Sequence, residues 1–315
     1  MMETQKTYLW RNKAEKMTAL LLSFALLFTA AGAGSSVYAA EKPERPQVSA
    51  KSGIVIDGET GSTIYSKNPH TKRDPYSITK LLTCLVALEH LSPEDTVTVT
   101  KWAANTGGST AYLKAGEKVR VKDLIYAALL PSGNDAAVAL AHGVSGSKAK
   151  FAVLMNKKAK ELGCTDSHFS NPHGWKAKDH YTSAYDMAKI AKAAMEVALI
   201  RTACSTEMYK MPKTNKHKAR YIATTNYLVA GKKYPKSGVF AGKTGTWDSK
   251  NASLVSACQR KGKLVYAVVL KDTTGGRYTS TNRILNYSYK KLEWMAESEN
   301  KTENEKKTEN ESENG

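Results

Sequence analysis

The run Tyr76-Ser77-Ile78-Thr79-Lys80-Leu81-Leu82-Thr83-Cys84-Leu85-Val86-Ala87-Leu88-Glu89-His90 decides how this chain of 315 residues is read. Pro75 stands just before it, where a helix begins. After Lys80 the run is apolar and rich in helix formers, and Leu91-Ser92-Pro93 closes it. Ser77 then lies in the first turn and Lys80 three residues on, so hydroxyl and amine project from one face. Such a pair makes a nucleophile and its base, provided the amine is neutral. A helix N-terminus disfavours a cation and favours the anion formed when the serine reacts. Apolar surroundings depress the lysine pKa further. Ser-x-x-Lys also describes a plain helix start with a surface lysine, so the pair needs support from elsewhere in the chain.

Upstream, Ser52–Asp57 and Ser62–Ser66 are β-rich runs around Gly58-Glu59-Thr60-Gly61, which predicts a hairpin. Downstream, Asp95–Thr100 reads as a short extended piece, Asn105–Tyr112 as a loop, and Val121–Leu130 as a helix stopped by Pro131. Ser132-Gly133-Asn134-Asp135 then falls in a tight turn before a second helix over Ala136–His142. Lys148–Leu162 reads as a helix closed by Gly163. Thr182 and Ser183 are candidate N-caps of another that runs to about Ile200, with Asp186 completing a capping box behind Ser183. Residues 201 to 240 are basic and irregular in pattern. Gly238–Thr246 begins a strand, Ser253–Ala257 and Leu264–Leu270 form a second hairpin, and Thr281–Met295 is a closing helix. Strands, then helices, then strands predict an α+β fold: an antiparallel sheet built from both chain ends, flanked by helices, with an inserted helical subdomain.

The remaining composition places the chain in a cell compartment. Lys6, Arg11, Lys13 and Lys16 precede an apolar run from Ala19 to Ala33, followed by Val37-Tyr38-Ala39-Ala40. This is the layout of a secretory signal over 1–40, cleaved after Ala39 or Ala40, with an uncleaved anchor as the alternative. No later stretch is apolar enough to span a bilayer. A linker over 41–50, a catalytic domain over 51–295 and a disordered polar tail over 296–315 complete the expected organisation. The formal net charge is +18, yet no nucleic-acid motif accompanies it. A basic exported protein suits an anionic cell envelope. Cys84, Cys164, Cys204 and Cys258 show no Cys-x-x-Cys pair. Export permits disulfides, but Cys84 on the apolar helix and Cys258 in a strand-like run read as small core residues, and mostly free thiols are expected. His168, His173 and His180 with Asp166 match no standard metal spacing, and no metal or other cofactor is expected.

Three motifs now stand in order: Ser77-x-x-Lys80, Ser132-Gly133-Asn134 and Lys243-Thr244-Gly245. Together they resemble the signature of serine β-lactamases and penicillin-binding proteins, whose middle motif is Ser-Asp-Asn where this chain has Ser-Gly-Asn. Their flanks resemble the serine-type D-alanyl-D-alanine carboxypeptidases, the low-molecular-mass penicillin-binding proteins, over about Lys51 to Leu270. The resemblance rests on Ser77–Thr83, on Asp123–Ala137, on Asn171-Pro172-His173-Gly174 with His180–Met187, and on Lys243-Thr244-Gly245.

The resemblance implies a β-lactamase/transpeptidase-like fold and a substrate, the peptidoglycan stem peptide ending in D-Ala-D-Ala, with β-lactams as covalent inhibitors. It makes Ser77 the nucleophile, Lys80 its base and Ser132 the proton relay to the departing amine. Asn134 would hold Lys80 and the substrate amide. Lys243 and Thr244 would take the terminal carboxylate. Backbone N–H groups of Ser77 and Thr246, beside Gly245, would form the oxyanion hole. Thr246-Trp247-Asp248-Ser249-Lys250-Asn251 departs from the aromatic or histidine and Gly-rich stretch usual in the family. The C-terminal β-domain and amphipathic anchor of many members are not expected here. A β-lactamase would want a Glu-x-x-x-Asn segment between Ser132 and Lys243, and none stands out. A D,D-endopeptidase shares every motif and stays open, as does a non-catalytic envelope sensor; Ser132 and Asn134 also suit simple helix caps.

Overall fold

The computed structural model describes residues 41–231, 234 and 238–313; the expected signal segment lies outside them. The chain divides into two units, Lys42–Ala296 and Met1–Glu41 with Glu297–Gly315. In the first, β1 (Ser52–Asp57) and β2 (Thr63–Lys67) join β7 (Val239–Asp248), β8 (Asn251–Arg260) and β9 (Lys263–Asp272) in a sheet of order β2-β1-β9-β8-β7. Every pairing is antiparallel. Both chain ends therefore build one sheet, and every helix except the one that follows β9 comes from the segment between them.

Alternation divides two cores across this sheet. Ile54 and Ile56 of β1 face one cluster with Val255, Ala257, Val268 and Leu270. Val55 faces the other, with Leu254, Cys258, Val265, Ala267 and Val269. Helix α6 (Ala184–Glu196) packs across β9, β1 and β8 on the first face, and α7 (Ala198–Ser205) lies against β7. Tyr278, Ile284, Leu285 and Tyr289 of α8 (Gly276–Glu313) cover the second. Because both faces are covered, the central strands read as nearly unbroken apolar runs.

Helix α1 (Lys80–His90) is buried at every residue from Lys80 to Ala87. It touches α3 (Val121–Leu129), α4 (Asn134–Ser145), α5 (Lys148–Glu161) and α6. An all-round apolar helix is stable only when enclosed in this way. Strands β3 (Thr96–Thr98) and β4 (Lys118–Arg120) and helix α2 (Lys101–Ala104) complete this side. All four cysteines are buried, and none forms a disulfide among the described residues.

The structure corrects five readings. Residues 41–50 are no free linker: Val48 and Ala50 are buried, and Ser49 Oγ donates to Asp272. The helix from Ser183 does not run to Ile200; Val197 is extended (ψ 113°) and separates α6 from α7. No Gly or Pro announces that break, and it turns α7 onto β7. Ser183 caps α6, but the Asp186 carboxylate accepts from Asp166 N and Ser167 Oγ instead of closing a capping box. The irregular stretch from 201 holds a hairpin, β5 (Met208–Met211) with β6 (Arg220–Ala223), too short and half-exposed to show alternation. The polar run after Ala296 continues α8 to Glu313. It lacks hydrophobes but also Gly and Pro before Gly315, and extending an existing helix avoids the nucleation cost.

Candidate active site

Ser77 lies in a 3₁₀ turn, Tyr76–Thr79, that runs directly into α1. In a 3₁₀ turn residues i and i+3 eclipse, which aligns Ser77 with Lys80 more closely than an α-helical turn would. Lys80 Nζ donates to Ser77 Oγ at 3.0 Å, to Asn134 Oδ1 at 2.7 Å and to His173 O at 2.9 Å. Its side chain is fully enclosed. Burial holds the Lys80 amine well below the ordinary lysine pKa, and the Lys243 cation pushes it the same way.

Two glycines let backbone close on this turn. A Cβ on Gly174 (φ +87°) would stand 1.8 Å from Tyr76 O, and one on Gly245 2.7 Å from Pro75 O. Gly245 thus allows β7 to pack against the Ser77 turn. The 171–175 loop is itself organised by Asn171, whose Oδ1 accepts from Gly174 N and Trp175 N. His180 is buried beside it, with its pKa lowered to about 4 by burial. Ser170 N donates to His180 Nδ1, so Nε2 carries the proton toward Thr79 Oγ1 at 3.0 Å. Burial and Lys80 lower His173 to about 3. His168 is separate, with Nδ1 against Asp179 O.

The second motif reaches the same place from between α3 and α4. Ser132 takes a positive φ of 64°, and its Oγ accepts from Lys243 Nζ at 2.9 Å. Asn134 is the first residue of α4, and Gly133 is the N-cap with no side-chain cap bond. Neither Ser132 nor Asn134 caps the helix. Asn134 instead links Lys80 to the opposite wall, where its Nδ2 donates to Gly107 O at 2.7 Å.

Asp135 holds that wall. Fully buried, its carboxylate accepts from Ala111 N and Leu113 N at 3.0 Å each and from Thr110 Oγ1 at 2.5 Å. The sequence suggests a turn residue; the structure gives it the whole 110–113 segment. Asp135→Ala strands those buried amides and is expected to lower stability by about 3 kcal/mol in a denaturant melt. A loss below about 1 kcal/mol would mean that the loop is held by other contacts.

The third motif brings Lys243, buried, with Nζ also donating to Thr244 O at 3.0 Å. Burial lowers its pKa to about 7, and the nearby Arg277 guanidinium adds to that. Thr244 Oγ1 lies 2.5 Å from Thr225 Oγ1. Arg277 is the residue that sequence reasoning misses. It sits at the start of α8, buried, and donates to Gly245 O at 3.1 Å and Thr246 Oγ1 at 2.7 Å. Among the described residues it has no carboxylate partner, and its Nε has no acceptor. No spacing rule ties it to Lys243, so only the packing of α8 along the sheet reveals it.

The motifs thus converge on one cleft of about 320 Å³, lined among others by Ser77, Gly108, Asn134, Gly174, Trp175 and Thr246. Lys80 is bonded to two of these lining residues, Ser77 and Asn134, and Ser132 is bonded to Lys243, three positions before Thr246. The arrangement offers a hydroxyl bonded to a low-pKa amine, with cations to one side, which suits acyl transfer from a substrate bearing an anionic end.

Comparison with known proteins points the same way. Residues 39–274 match the family model described as peptidase S11, D-alanyl-D-alanine carboxypeptidase. The chain is 36% identical over 251 residues to D-alanyl-D-alanine carboxypeptidase DacF of Bacillus subtilis (strain 168), covering 78% of this chain and 63% of that one. It is 33% identical over 258 residues to the D-alanyl-D-alanine carboxypeptidase of Streptomyces sp. (strain K15), covering 78% and 89%. The chain therefore spans less than two thirds of the Bacillus relative. The crystal structure of the Streptomyces K15 DD-transpeptidase superposes with a TM-score of 0.72 at 31% identity, covering 78% of this chain and 99% of that one.

Proposed function

We propose, because this chain belongs to the D-alanyl-D-alanine carboxypeptidase family, peptidase S11, that it removes the terminal D-Ala from peptidoglycan stem pentapeptides. The observation that carries this is the 3.0 Å bond between Ser77 Oγ and the buried Lys80 amine. Neutral Lys80 keeps its two N–H groups on Asn134 Oδ1 and His173 O and turns its lone pair to Ser77, taking the hydroxyl proton as Ser77 Oγ bonds to the carbonyl carbon of the penultimate D-Ala. Ser77 and Thr246 N–H groups receive the developing oxyanion. When the C–N bond breaks, Ser132 delivers the proton to the departing nitrogen, drawing it from the lysine pair through its bond to Lys243. Water then attacks the ester, giving one proton through Lys80 back to Ser77 Oγ.

Lys243, Thr244 and Arg277 form the terminal-carboxylate subsite. A buried guanidinium without a carboxylate partner is costly alone, and a substrate anion compensates it. β-Lactams enter by the same acyl-transfer route. The N-terminal basic and apolar segments direct the protein to the cell envelope; among the described residues no helix is long and apolar enough to cross a membrane.

Incubation with a disaccharide-pentapeptide tests the reading, with release of free D-Ala expected. Disappearance of dimeric cross-links without D-Ala release would make the protein an endopeptidase. Muropeptide binding without penicillin labelling would make it a sensor. The pH dependence carries a further expectation. Acylation by a β-lactam rises with pH as Lys80 loses its proton. Lys243→Met removes a like charge that holds the Lys80 pKa down, so the rising limb, normalised to its own plateau, moves to higher pH. A limb that stays put or moves lower refutes the coupling.

A further inference from the structure

The cleft mouth carries two aromatic rings that the acyl-transfer chemistry does not use. Trp175 and Trp247 are 42% and 46% exposed, and their rings meet edge to face with centroids 5.9 Å apart. They come from different walls. Trp247 follows Thr246 on β7, is stacked on buried Tyr76 at 6.5 Å and lies under the Lys176 ammonium at 5.7 Å. Asp74 holds that ammonium at 3.4 Å. Trp175 follows Gly174 and reaches across to the 107–108 backbone. A Cβ on Gly107 or Gly108 would stand 3.6 or 3.3 Å from its six-membered ring. Asn134 Nδ2 in turn grips Gly107 O, so the backbone beneath Trp175 is fixed. Each indole is braced from behind, and the two meet at the cleft that Ser77 lines.

We infer that the Trp175–Trp247 pair determines the substrate class, admitting a linear peptide end and rejecting a cross-linked stem. The inference rests on the acyl-transfer reading of Ser77. The cleft, about 320 Å³, lies at the small end of ligand sites, roughly 300–1,000 Å³. Trp247 directly follows Thr246, whose hydroxyl Arg277 holds, so it flanks the side where the leaving group's carboxylate docks. A terminal D-Ala carries only a methyl group on the carbon beside that carboxylate. In a cross-link the same carbon carries a chain that continues into a second stem. To pass it, the indoles must part, losing their mutual contact and the stack on Tyr76. The rejection is steric, a penalty built against the wrong substrate.

The test compares two muropeptides: a disaccharide-pentapeptide monomer, and a tetrapeptide dimer whose only D,D bond is the cross-link. In the wild type the dimer-to-monomer ratio of kcat/KM is expected to be below about 0.01. Trp247→Ser and Trp175→Ser should each raise that ratio at least about tenfold, and Trp247→Phe should leave it near the wild-type value. Stoichiometric labelling by a fluorescent penicillin certifies each variant's site. A ratio unmoved in both serine variants overturns the inference, as does a wild-type ratio near one. Loss of labelling in both serine variants also overturns it, because the indoles would then be holding Ser77 in place rather than screening substrates. A wild type that neither labels nor releases D-Ala instead refutes the acyl-transfer reading itself.

Discussion

Ser77→Ala is expected to abolish labelling by a fluorescent penicillin and to lower D-Ala release from a pentapeptide muropeptide by about 10⁴-fold or more. The Ser77 hydroxyl accepts one hydrogen bond, from Lys80 Nζ, and Lys80 keeps two other acceptors when it is gone. The substitution removes one oxygen at the edge of an open cleft and leaves the 3₁₀ turn intact. Stability should therefore stay within about 0.5 kcal/mol of the wild type. Activity and fold are separated in one measurement pair. Residual covalent labelling of the Ala variant would place the nucleophile elsewhere. An undiminished D-Ala release would remove Ser77 from the reaction altogether.

Lys80→Met is the second large effect, with a different signature. The acylation rate should fall by about 10³-fold, within the range for removing a general base, because nothing else lies within hydrogen-bond reach of Ser77 Oγ among the described residues. Stability should move far less. An amine with no exposed surface carries a desolvation cost that methionine lacks, while Asn134 Oδ1 and His173 O lose their donor. These opposed effects are expected to leave the protein within about 2 kcal/mol of the wild type. A melt lowered by more than about 4 kcal/mol would identify Lys80 as a structural strut. An acylation rate within about threefold of the wild type would show that another group takes the proton.

The legible parts of the site are those in which chemistry and spacing are local. Ser77 and Lys80 face each other because they are three residues apart in one turn, whether 3₁₀ or α-helical. Ser132 and Asn134 stand out because a Pro-Ser-Gly-Asn turn sits between two apolar helical runs. Asp135 and Arg277 do not stand out. Asp135 acts through amides more than twenty positions upstream, and Arg277 through Gly245 and Thr246, some thirty positions away. Gly174 looks like any turn glycine until Tyr76 O is found against it.

By itself, then, the sequence determined which segments could be strands and helices in the two cores, that both chain ends feed one antiparallel sheet, and which reactive side chains share a turn. Hydrophobic period and short-range spacing carry that information in consecutive residues. Tertiary structure alone decided that Lys80 is sealed with its pKa held well below the usual lysine range, that Lys243 and Ser132 touch, that Arg277 bonds to Thr246, and that two indoles meet at the cleft. Burial, field and steric screening are sums over neighbours brought from distant parts of the chain, and no local pattern encodes them.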